Sequence, residues 1–193
     1  MRLLSLLASL SSLSASVPQW DVAPPPVSPS SQEAAALLAG ETVVRQDTAR
    51  GGSRGVAMAF VSASPEQVWA VVLDFDRYVE FLPYVTASTA VAGGAELELT
   101  TKAVVTRYKQ TVADHHAEGY VTFELRPVGW SPMRCSTGWW RVTRWEGGSL
   151  LMYSVDVATA WYLPKETHDK AAAIGLPKMV TLMAERAEKT ASR

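Results

Sequence analysis

From residue 56 onward the apolar positions change period, from two to between three and four and back to two, and each change marks an element. Val56, Met58 and Phe60 recur at every second residue, the period of a strand. The next four residues, Ser64-Pro65-Glu66-Gln67, have the form of a helix start: Ser64 as N-cap, Pro65 where its missing N–H costs nothing, and Gln67 closing a capping box. Val68, Trp69, Val71, Val72 and Leu73 then form one broad apolar helical face. Asp74 is the next expected cap, ahead of a short helix that carries Tyr78, Phe81 and Leu82 and stops at Pro83.

Period two returns after the helices. Residues 85–91 and 96–105 are expected strands joined at Gly93-Gly94, and residues 107–115 set Tyr108, Gln110 and Val112 against Arg107, Lys109 and Thr111. Residues 120–125 place Val121, Phe123 and Leu125 on the face that must turn inward. Residues 127–133 hold two prolines and are expected as a loop, before strands 134–145 and 150–161 around the Gly147-Gly148 turn. Upstream, residues 41–46 pair with 56–61 across Gly51-Gly52-Ser53. At the C-terminus, residues 165–173 form a short helical turn, and Gly175-Leu176-Pro177 opens the last helix. Its apolar stripe is Leu176, Met179, Val180, Met183 and Ala187. The sum is an α+β chain: a curved antiparallel sheet of about seven strands wrapped on a long C-terminal helix, with two short helices after an early strand.

This order resembles the START-like superfamily, also called SRPBCC, and within it the coenzyme Q-binding and polyketide cyclase branch. The likeness rests on Ala63 to Trp69 (ASPEQVW), Asp74-Phe75-Asp76-Arg77-Tyr78, Phe81-Leu82-Pro83, Gly138-Trp139-Trp140-Arg141-Val142, and Leu151 to Tyr153. The resemblance implies a helix-grip fold over residues 41–193. It also implies a pocket for an apolar small molecule or lipid, quinone-like, between the sheet and the C-terminal helix. Tyr78, Phe81, Tyr108, Phe123, Met133, Trp140, Tyr153, Met179 and Met183 are the residues expected to line it. Trp140 matches the inward tryptophan of the family's strand motif, so Trp139 must point the other way. The residue pattern alone leaves open whether these large side chains line a space or fill it; in the second case the domain serves only protein interaction.

Ahead of the domain, residues 1–16 have the form of a signal peptide. Arg2 is followed by an apolar stretch of leucine and serine, and cleavage is expected near Ala15 or Ser16. The expected location is therefore exported, periplasmic or secreted. Residues 17–40 are expected as a Pro- and Ser-rich linker, loosely packed, ending in a short helix capped by Gly40. A net charge of −1 with both signs scattered offers no footprint for nucleic acid. Trp130 and Trp161, placed near strand ends, either cover the barrel or form a rim that touches a membrane transiently.

Candidate chemistry is sparse. His115 and His116 are adjacent and point apart, His168 lies in a charged run, and Cys135, the single cysteine, has no evident base beside it. No metal or cofactor is implied. An alternative, a cyclase- or aromatase-like enzyme acting in the same pocket, would draw its proton-transfer groups from Tyr78, Tyr108, Arg141 or Asp156.

Overall fold

The computed structural model describes residues 20–47, 54–101, 104–131, 133–159 and 165–192. The expected signal peptide, the 51–53 turn and Trp161 lie outside these residues, as does the side chain of His168. Eight strands form one antiparallel sheet in the order β1-β2-β8-β7-β6-β5-β4-β3. They are β1 (Val43–Asp47), β2 (Arg54–Val61), β3 (Val85–Val91), β4 (Gly94–Thr101), β5 (Val104–His115), β6 (Tyr120–Val128), β7 (Met133–Trp145) and β8 (Gly148–Thr159). The helices are α1 (Ser31–Leu38), α2 (Pro65–Val72), α3 (Tyr78–Phe81) and α4 (Lys165–Ala191). Helix α4 lies along β1, β2 and β8 and meets α2, so sheet and helices enclose one core in a helix-grip arrangement.

The α2 start forms as its residues dictate: Ser64 accepts from the Gln67 N–H, the Gln67 side chain accepts from the Ser64 N–H, and Pro65 opens the helix. An equivalent box, Ser30 with Glu33, starts α1. Asp74 does not act as a cap; it pairs with Arg77 at 3.4 Å beside a 3-10 turn, Phe75–Arg77. Its neighbour Asp76 accepts instead from the Ala90 N–H at 2.7 Å and ties that turn to β3.

Three local expectations change in the fold. The 96–105 stretch divides between β4 and β5, whose pairing runs out to Thr101–Val104. Pro127 belongs to β6 rather than to a loop; the β6–β7 ladder has already ended at Leu125–Ser136, so the proline stands at a strand edge where a missing N–H is tolerated. Pro177 sits inside α4 instead of opening it. A proline in a helix interior costs about 3 kcal/mol, and the burial of Leu176 and Val180 on either side offsets it.

Alternation gives the sheet two apolar faces. Ala57, Ala59, Val61, Val121, Phe123, Trp140, Val142, Leu151 and Tyr153 pack inward with Leu176, Val180, Met183 and Ala187 of α4. Met58, Leu150 and Met152 point outward, into a second cluster closed by Leu37 of α1 and bordered by Val27, Phe60 and Trp139. The expected loose linker is thus in part a packed arm. Arg141 donates to the Pro24 and Pro25 carbonyls at 2.9 and 3.2 Å, and Asp21 meets both the His115 ring and the Thr122 hydroxyl at 3.0 Å. The arm packs because bulky apolar residues on the outer side of β2 and β8 need cover from water.

Candidate functional site

The strand register arranges the inner face in rows. One row runs Val112, Phe123, Gly138, Val155; the next runs Ala95, Gln110, Leu125, Ser136, Val157. Phe123 reaches across β7 to stack on Tyr153, with centroids 6.0 Å apart and planes 10° off parallel, and Tyr153 in turn meets Trp140 at 4.2 Å. Gly138 permits this crossing, since a Cβ there would lie 2.6 Å from the Phe123 ring and 2.2 Å from the Ser154 carbonyl.

The two ends of this face differ. Toward α2, Ala57, Ala59, Val61, Val142 and Leu151 are sealed by Val68, Val72, Met183 and Ala187. Toward the start of α4, the inward-facing Leu99, Val112, Leu125, Met133, Val155 and Met179 stay only half-buried. Met133 reaches this face through a β-bulge: Met133 pairs with Thr159 and Cys135 with Ala158, so Arg134 is the extra residue and the alternation inverts. The rim of the same end carries Val105, Val128 and Trp130, the last 79% exposed.

Polar groups on this face are few. Tyr78 is buried, gives its hydroxyl proton to the Val72 carbonyl at 2.5 Å, and stands edge-on to Phe75 and Phe81. Burial pushes the Tyr78 and Tyr153 hydroxyls far above the ordinary tyrosine range, so both stay protonated. Gln110 is only 8% exposed, and among the described residues its amide oxygen has no partner. Tyr108, two residues before it on β5, and Ser136, two strands across in the same row, are also buried on this face.

Of the expected lining residues, Phe123, Trp140 and Tyr153 form the stack, Tyr108 and Met133 lie at the half-buried end, and Met179 faces that end from α4. Met183 belongs to the sealed part, and Phe81 sits under the Arg186 guanidinium, 5.4 Å from the ring centroid, at the α3–α4 contact. Two proton-transfer candidates fall on the wrong side: Arg141 holds the arm on the outer face, and Asp156 shares the outward alternation of Met152 and Ser154. His115 bonds Asp21 and His116 bonds Asp114, so they share nothing. Among the described residues no group of three or more His, Cys, Asp or Glu is placed to hold a metal. A groove of about 570 Å³ lies at the opposite end of the sheet, between α2 and the turn joining β5 to β6. It is lined by Trp69, Leu73, His116 and Val142 among others, and none of the expected residues borders it. Gln110 was visible in the sequence as a polar residue on the apolar side of an alternating strand; the bulge that turns Met133 inward had no such signal.

With this geometry in place, comparisons with known proteins agree on architecture. Residues 55–191 match the family described as polyketide cyclase / dehydrase and lipid transport. A START superfamily protein from Mycobacterium smegmatis superposes with a TM-score of 0.62 at 15% identity, over 77% of this chain and 97% of that one. The Zhui aromatase/cyclase from Streptomyces sp. R1128 gives 0.59 at 15% identity, over 72% and 94%. A STAR-related lipid transfer protein from Xanthomonas axonopodis gives 0.53 at 15%, over 79% and 93%. No curated protein matches the sequence at a significant level. At such identities the likeness to these structures is one of fold.

Proposed function

The chain belongs to the polyketide cyclase / dehydrase and lipid transport family, and on that premise we propose that it binds an apolar small molecule or lipid, quinone-like in its size and greasiness, between the inner face of the sheet and α4. The observation that carries this reading is the contrast between the two ends of one apolar face. Where α2 and the later part of α4 cover the sheet, side chains are sealed; toward the start of α4, six apolar residues face inward and remain half-buried. Apolar surface kept accessible inside a domain is surface a ligand can remove from water, at roughly 25 cal/mol per Å². The exposed Val105, Val128 and Trp130 at the same end suit transient contact with a membrane, where an indole can keep one side apolar and one wet. The leader pattern of residues 1–16 adds export to this proposal.

The test is extraction of the purified protein with organic solvent, followed by mass spectrometry, and quenching of tryptophan fluorescence by added quinones. Co-purifying lipid, or saturable quenching that Met133→Glu abolishes, is the expected result. Repeated failure of both would refute the reading. The cyclase-like alternative is weakened, because Arg141 and Asp156 face outward and the Tyr78 hydroxyl is given to a backbone carbonyl, which leaves Tyr108.

A further inference from the structure

Gln110 stands in the middle of β5, between Tyr108 and Val112 on the inward side of the strand, with Ala95 opposite it on β4 and Leu125 on β6. Every one of these neighbours belongs to the apolar core or packs against it. The side chain is 8% exposed and its amide oxygen has no hydrogen-bond partner among the described residues. A buried polar atom left unpaired costs on the order of 1–3 kcal/mol, which is why such atoms are rare in folded proteins. Leucine at this position would fit the alternation and remove the penalty. A carboxamide here has a physical rationale if a ligand supplies the missing partner.

We infer that the ligand is an amphiphile with a hydroxyl on its head, seated against Gln110, with its apolar body along Leu125, Val155 and Met179. This rests on the reading that the inner face binds an apolar ligand. The class follows from the chemistry of the amide. Its oxygen needs a donor, and a hydroxyl both gives and accepts, so it satisfies the carboxamide through either of its two ends. A hydrocarbon satisfies neither end, and a ketone or ether supplies no donor. Among quinone-like molecules the same argument favours the reduced, hydroxyl-bearing form. Ala95, opposite Gln110 on β4, is its smallest neighbour, and the half-buried Val112 and Leu125 flank it on the side a head group would approach.

Two probes of nearly equal size separate this inference from the broader one: 1-dodecanol and dodecyl methyl ether, which differ in the O–H donor. Each is titrated against the purified protein by displacement of an environment-sensitive apolar dye. The protein should prefer the alcohol by about tenfold or more, the factor that one otherwise unpaired buried hydrogen bond confers. Gln110→Leu should bind both probes alike, with its affinity for the ether within about threefold of the unaltered protein. The same variant should melt at a higher temperature, because it deletes an unpaired polar atom. Equal affinity for alcohol and ether in the unaltered protein would overturn this inference and leave the broader reading intact. Binding of neither probe would overturn both. Should Gln110→Leu melt lower, the amide has a partner within the protein and the inference fails, whatever the probes show.

Discussion

Glu33 closes the α1 capping box and also takes two hydrogen bonds from Arg45, at 2.7 and 2.5 Å. The Arg45 guanidinium first, and the Ser30 N–H second, hold its carboxyl at about 2 rather than the usual 4.5. Because the folded value is the lower one, the contribution of this carboxylate is complete above about pH 4.5 and is lost as pH falls toward 2. The stability gap between the unaltered protein and Glu33→Gln, read from urea midpoints, should therefore be constant above pH 5 and close between pH 4.5 and 2. At Gly138 the constraint is space. Gly138→Ala forces a Cβ against the Ser154 carbonyl and the Phe123 ring, and should cost about 1–3 kcal/mol in denaturant unfolding with loss of the Phe123–Tyr153 stack. Tyr78→Phe leaves the Val72 carbonyl without its donor, and should cost about 1 kcal/mol or somewhat more. These roles were only partly legible beforehand: Ser64, Pro65 and Gln67 act within four residues of one another, whereas the donor of Glu33 is twelve residues away in sequence and the neighbour of Gly138 is on another strand.

The least expected element is the N-terminal arm. Residues 20–42 lie outside the stretch matched by the family, yet Leu37 is fully buried beside Met58, Leu150 and Met152. Leu37→Ala should cost about 2–5 kcal/mol, the range for a buried leucine, measurable by urea unfolding. A chain begun at residue 41 should bind apolar dye on its outer face and aggregate, whereas one begun at residue 20 should not. The pattern Val56, Met58, Phe60 announced a buried side of β2 without telling which layer would cover it. Alternation sorts side chains into two sets, and only packing assigns each set its partner. The fate of Pro177 has the same cause: local rules place proline at a helix start, yet the helix runs through it, and the buried stripe that anchors α4 begins beside it at Leu176.

At the scale of the whole molecule, a ligand that binds only the folded state stabilises it by about 2.7 kcal/mol at a hundredfold excess over its Kd. For a domain of this size that corresponds to a rise in Tm of about 5–11 °C. A dodecanol titration followed by melting should reproduce that dependence if the inner face is the site, and leave Tm flat if it is not. What the amino-acid sequence determined alone was the order and kind of most elements, the start of α2 and the inward set on β6, each of which follows from periodicity or from contacts a few residues apart. The inward Trp140 of β7 and the START-like fold came from the resemblance of its motifs to a known family. The tertiary structure alone decided that the arm covers the outer face, that a bulge turns Met133 inward, that Arg141 and Asp156 point away from the interior, and that the Gln110 amide oxygen is buried with no partner among the described residues. These depend on which strands pair, in what register, and on what lies above each face, and such information is spread over residues far apart in the chain.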